Sequence, residues 1–280
     1  MKPPDPGGVS PEGAEMAPIL EFSHRVMRGS ATEVVPVSGG FAVLNSAYPT
    51  SYEHNCLVVG GELDPATVMA EADRVLGGAG LSHRAIEVEV EYLPAAALDR
   101  FRAAGYEVQA TRVMLLRRPP DRLASVAVER VSYDVLIPVV EAGWRRRFPD
   151  ASEDSIRQLV ERRTATARAC AVTHHAVRIP EGLVARCDLY RINPIAQIET
   201  VETEPEWRNR GYARAVVLDA VELARGSGCS VAFLIADADD WPQELYRRLG
   251  FEPVGGGYTL QRLPAGAGGS PSAGGGPGGK

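Results

Sequence analysis

The chain has 280 residues, 45% of them hydrophobic, and a formal net charge of −6. That length can bury one large core or two medium ones, and the acidic balance lacks the basic footprint of a nucleic-acid binder. No window approaches the roughly 18 to 20 unbroken apolar residues of a membrane span.

From the start, residues 1–17 are rich in Pro, Gly and Glu, a composition expected to stay disordered, and lack the basic-then-apolar pattern of a signal peptide. A cytoplasmic protein is expected. Leu57-Val58-Val59 reads as a strand, with a helix starting near Pro65. Leu76 to Val90 then reads as helix end, glycine and strand. Phe101 to Pro119 reads as a helix end, a stop at Gly105, an aromatic and an alternating strand that closes its domain. Arg117 to Arg122 is charged and holds two adjacent prolines, which stop a helix and resist joining a sheet. The boundary belongs there, giving domains at 18–118 and 125–264 with a linker at 119–124.

In the second half the pattern predicts a strand near Ser125 to Val131 and helices near Asp134 to Arg147 and Ser152 to Ala165. Strands follow at Arg168 to Val177, Leu183 to Tyr190 and Ala196 to Glu202. A helix from Tyr212 to Arg225 carries apolar residues at helical spacing and stops at Gly226 and Gly228. A buried strand at Val231 to Ala236, a helix near Trp241 to Leu249 and a strand at Gly257 to Leu263 complete it. Residues 265–280 are a Gly-rich tail. The segment Phe101 to Pro119 aligns without gaps on Tyr246 to Pro264, which points to two related α/β domains. Cys56, Cys170, Cys187 and Cys229 form no CxxC pair; they read as small apolar residues, with neither a zinc site nor a disulfide framework.

The strand ending at Glu202 runs through Glu204-Pro205-Glu206-Trp207 into Arg208-Asn209-Arg210-Gly211-Tyr212-Ala213-Arg214, which opens the helix. A helix start offers unpaired N–H groups and the positive end of its dipole, and small Gly211 and Ala213 let an anion approach the backbone. Arg208, Gly211 and Ala213 resemble the Q/R-x-x-G-x-G/A element of the GNAT superfamily of acetyltransferases. Glu244 to Glu252, reading ELYRRLGFE, is similar to that family's LYxxLGF element. Asp239, where many members have Asn, and Pro242, in place of Ala, depart from the family pattern.

The resemblance implies a mixed, mostly antiparallel sheet flanked by helices and splayed between its fourth and fifth strands, with acyl-CoA in the gap. In it, the loop 208–214 holds the pyrophosphate, and the backbone of Val201, Glu202 and Thr203, with Asp239 nearby, meets the pantetheine arm. The N–H of Val201 polarises the acyl carbonyl. Tyr246 is the expected acid and Glu199 the expected base, with Glu202 in reserve; a bulge is needed for both glutamates to reach one side of the strand. The implied activity is N-acetyl transfer from acetyl-CoA, without a metal, to a small-molecule or peptide amine, by a monomer or homodimer. A non-catalytic acyl-CoA sensor or partner-binding module is the other reading.

In the first half the corresponding loop is Gly60-Gly61-Glu62-Leu63-Asp64-Pro65, with two acids where a pyrophosphate would sit, and Phe101 stands where Tyr246 does. This half is expected to be a degenerate, non-catalytic copy that shapes or covers the acceptor site. Trp144 to Phe148 is a candidate for acceptor selection.

Overall fold

In the computed structural model, which describes residues 11–238 and 242–263, the strands of both halves join into one sheet. The amino-terminal half supplies α1 (Pro11–Ser30), the hairpin β1 (Glu33–Val37) and β2 (Gly40–Leu44), and β3 (Cys56–Val59). It continues with α2 (Pro65–Ala72), a π-helical turn at Asp73–Gly77, β4 (Arg84–Val88), α3 (Ala95–Ala103) and β5 (Glu107–Leu116). The carboxy-terminal half supplies β6 (Glu129–Val131), α4 (Tyr133–Arg147), α5 (Glu153–Glu161), α6 (Arg163–Ala169), β7 (Ala171–Ile179), β8 (Gly182–Ile192) and β9 (Ile195–Thr203). A 3₁₀ turn at Pro205–Trp207, α7 (Tyr212–Gly226), β10 (Val231–Asp237), α8 (Pro242–Arg248) and β11 (Phe251–Arg262) end it.

The eleven strands lie in the order β1-β2-β3-β4-β11-β5-β10-β9-β8-β7-β6. Two neighbouring pairs, β3 with β4 and β9 with β10, are parallel. The other pairs are antiparallel, so the sheet is mixed and mostly antiparallel as expected. Side chains alternate across it. One face carries the apolar cores under α2 and α3 and under α7 and α8, with Leu57, Ile86 and Phe101 in the first and Val216, Leu234 and Phe251 in the second. On the other face Ile19 and Phe22 of α1 pack on Val113, Tyr190 and Phe233. No helix of the described residues is long and apolar enough to cross a membrane.

The internal repeat is visible in the packing. Phe101 meets Tyr106 edge-on at 5.8 Å, and the aligned pair Tyr246 and Phe251 meets edge-on at 6.3 Å. Gly105 and Gly250 both take positive φ, 84° and 96°. Yet the closing strands do not complete their own halves, as the sequence reading had them do. They are exchanged: β5 pairs with β10, β11 pairs with β4, and the two pair with each other from Phe251↔Leu116 to Gln261↔Glu107.

Two further expectations are corrected. Residues 11–17, read as part of a disordered tail, belong to α1, where Met16 covers Gly255 and joins the core of Ile19 and Phe22. Arg168 and Ala169, read as strand, end α6, because the expected single helix is broken at Arg162 into α5 and α6.

Gly250 carries the linker. Its carbonyl accepts from the N–H groups of Arg117 and Arg118 at 3.0 and 3.1 Å. A Cβ there would lie 2.0 Å from the Arg118 carbonyl oxygen, at a φ that L side chains avoid. We expect Gly250→Ala to cost about 1–3 kcal/mol, read as a lower denaturant midpoint at unchanged slope.

Candidate active site

β9 and β10 begin as partners and then separate. Their pairing runs from Val231↔Ile195 to Phe233↔Gln197 and ends there, although β9 continues to Thr203 and β10 to Asp237. Beyond that point β10 pairs with β5 through Ile235↔Val113 and Asp237↔Thr111, so the gap opens on its β9 side. The equivalent strands of the other half stay together. β3 and β4 pair to their ends, Val59↔Val88, and Glu89 N–H still donates to the Val59 carbonyl at 2.8 Å.

The loop after β9 ends in a helix start with no side-chain cap. Gly211 stands at the N-cap of α7 with φ 82°, and nothing lies within 4 Å of where its Cβ would be. Asn209, also at positive φ (62°), helps turn the chain. Arg210 stacks over Trp207 at 4.5 Å, and Arg208 Nε donates to the Thr203 carbonyl at 3.4 Å. Tyr212 packs against the core under α7. Arg214 differs from expectation: its guanidinium is buried and donates to Asp121 and to the Arg122 carbonyl, fixing the linker rather than facing the loop's open side. In the other half, the start of α2 is already occupied. The Asp64 carboxylate accepts from Thr67 N–H at 3.0 Å, a helix cap standing where an anion would bind.

The bulge that two glutamates on one side require is present in β9. Asp188 of β8 pairs with Glu199 and Arg186 with Glu202, so β9 spends one extra residue, at Thr200 with φ 52°. Arg163 holds it there, donating to Thr200 Oγ1 and the Tyr190 hydroxyl and pairing with Asp188 Oδ2 at 2.8 Å. Glu199 and Glu202 thus share a face but not a role. Glu199 lines a cavity of about 260 Å³, whereas Glu202 is committed to Arg186 at 2.6 Å outside it. Val201 turns to the opposite, α7 side, and the Thr203 hydroxyl is buried without a hydrogen-bond partner among the described residues. Tyr246 is 8% exposed in that same α7-side core, next to Phe251. Asp239 lies outside the described residues.

The cavity lies between the two halves, under α1 and α6. Burial first, then the negative charge of Glu53, pushes the Glu199 carboxyl up to about 8, with Arg163 opposing. Glu53 itself is paired with Arg162 at 3.4 Å, and Trp144 of α4 also lines the space, beneath Arg162 at 5.1 Å. Phe148 stacks on Trp144 and does not line it. Sequence reasoning missed Glu53, Glu87, Arg162 and Arg163. Single charged residues in a strand (Glu87), a 3₁₀ turn (Glu53) and a helix junction (Arg162, Arg163) carry no spacing signal, and the halves that supply them meet only in the fold.

Residues 137–251 match the model of the acetyltransferase (GNAT) family. No curated protein matches the chain. Among solved structures, a functionally unknown conserved protein from Staphylococcus epidermidis is similar at 13% identity and a TM-score of 0.66, over 83% of this chain and 94% of that one. A GCN5-related N-acetyltransferase from Kribbella flavida is similar at 17% identity and 0.60, over 88% and 96%. A tandem GNAT protein from the clavulanic acid biosynthesis pathway is similar at 15% identity and 0.51, over 79% and 78%. At these identities the likeness is one of fold.

Proposed function

We propose that this chain, whose residues 137–251 match the model of the acetyltransferase (GNAT) family, transfers an acetyl group from acetyl-CoA directly to an amine, at one active site in the carboxy-terminal half. The observation that carries the reading is the parting of β9 and β10 beyond Gln197 and Phe233, with an uncapped helix start at one end and Glu199 at the cavity on one face. The open space over Gly211 and the Thr203 hydroxyl, buried without a partner among the described residues, suit a phosphate and a polar pantetheine arm.

Acetyl-CoA would supply an activated acyl carbonyl. The chain's own part is to position it and move protons. Val201 N–H, next to the bulge, would donate to the carbonyl oxygen as charge builds on it. Glu199 would take the proton of the incoming ammonium from the cavity side, and the Tyr246 phenol would return one to the leaving thiolate from the α7 side. Acid and base then act on opposite faces of the sheet, which only a gap between strands permits. The amino-terminal half, with its closed strands and Asp64 cap, roofs the acceptor cavity and does no chemistry.

The test is free-thiol release over a panel of amines, with melting measured beside it. Acetyl-CoA at 100 times its Kd should stabilise the protein by about 2.7 kcal/mol. Tyr246→Phe should keep that stabilisation and lose most of the turnover. Stabilisation with no thiol release from any amine would favour a non-catalytic sensor, and the absence of both effects would overturn the reading.

A further inference from the structure

The acceptor cavity has a second acidic end. Besides Glu199 on β9, it is lined by Glu87 of β4, four strands away in the sheet order β4-β11-β5-β10-β9. Three hydrogen-bonded spacings of about 4.8 Å and the wider gap between β10 and β9 set the two backbones more than about 19 Å apart. Between them the floor offers Asp237 on β10, Thr111 on β5 and Gln261 on β11, while Ile19 of α1 adds an apolar wall.

Most charges in this space are already answered. Glu53 has Arg162 at 3.4 Å, Arg163 has Asp188 behind the lining at 2.8 Å, Glu89 meets the His24 ring at 2.8 Å, and Asp237 accepts from the Gln109 amide. Glu87 and Glu199 differ. Glu87 accepts from the Thr259 hydroxyl at 2.9 Å, and Glu199 accepts from the Gln197 amide. These are neutral donors that cannot balance an ionised carboxylate. Burial pushes Glu87 up to about 7, as it does Glu199 to about 8, and a bound cation would favour the ionised form of each.

Resting on the acetyltransferase reading above, we propose that the acceptor is an elongated amine with a second, remote cationic nitrogen, one end reacting at Glu199 and the other held by Glu87. The amino-terminal half, without catalytic groups, then selects the substrate by charge and length. A compact or anionic acceptor would leave Glu87 unpaired.

Initial rates of thiol release with octylamine, 1,3-diaminopropane and 1,8-diaminooctane test this, with melting measured for each amine in the presence of acetyl-CoA. The long diamine should exceed both others in kcat/KM by about 10- to 100-fold. Glu87→Gln should bring the three together, chiefly through KM, and erase the extra melting shift given by the long diamine. Glu87→Asp, which keeps the charge, should retain part of the preference and serves if Glu87→Gln melts early. Turnover without preference for the long diamine, or a preference that survives Glu87→Gln, overturns the proposal and leaves the acetyltransferase reading standing. If no amine is turned over, the melting shifts decide: equal shifts from all three amines overturn the proposal, and a shift from the long diamine alone, lost in Glu87→Gln, upholds it as a binding site. Failure of acetyl-CoA to stabilise the protein, with no thiol release from any amine, removes the acetyltransferase reading itself.

Discussion

Glu199→Gln should slow acetyl transfer by about 100- to 10,000-fold and, in the same protein, raise stability at alkaline pH. The two effects have one cause. The carboxyl sits at about 8 in the folded protein against an ordinary 4.5, because burial and the charge of Glu53 disfavour its ionised form. The folded state therefore holds a proton that the unfolded state has lost between these values. Stability from this group is fully present below about 4.5 and declines as pH rises through about 8. Glutamine has no proton to lose. The variant should gain about 1–3 kcal/mol over wild type at pH 9 and little at pH 4, the range allowing for solvent reaching a half-buried carboxylate. In wild type, kcat/KM should fall as pH drops through about 8, since the base must be ionised, and this limb should vanish in the variant. Equal melting of the two proteins at pH 9 would remove the physical basis for Glu199 as the base.

Arg163→Met should cost about 3–5 kcal/mol and most of the turnover. Asp188, 1% exposed, is left by this change with its hydrogen bond to His174 at 2.7 Å. Burial alone pushes the Asp188 carboxyl up; the Arg163 charge and the bond from His174 more than reverse that and hold it down to about 2. For a depressed carboxyl the stabilisation is present above its ordinary 3.8 and lost as pH falls through about 2. The variant's deficit should therefore be largest near neutral pH and shrink in acid, where Asp188 can be protonated. Arg163→Met with Asp188→Asn should recover part of the loss, because no charge is then stranded. Activity should not return with it. Arg163 also grips Thr200 at the bulge, and without that grip β9 can relax toward regular pairing and turn Glu199 away from the cavity.

Much of the carboxy-terminal half was legible because its signals are local. The apolar spacing of α7, the Gly211 turn into it and the need for a bulge between Glu199 and Glu202 all follow from chain geometry over a few residues. The repeat of Phe101 and Gly105 in Tyr246 and Gly250 was legible too. Its pairing was not: β5 and β11 carry the same alternation, so nothing in either says which β-neighbour it takes. The hairpin of β1 and β2 was hidden by Pro36 and the glycines of its turn, and α1 by a Pro- and Gly-rich start. Glu53 and Glu87 were invisible for a different reason, since they lie far from Glu199 in sequence and join it in one environment only when both halves share a sheet.

That shared sheet also bears on the half to which the proposal assigns no chemistry. Once each half lends its last strand to the other, neither is a removable module. Deleting the silent copy would strip β10 of a flank, leave β11 with no bed and expose raw β edges that invite aggregation. Whatever chemistry the amino-terminal half does or does not perform, it is part of the other half's scaffold.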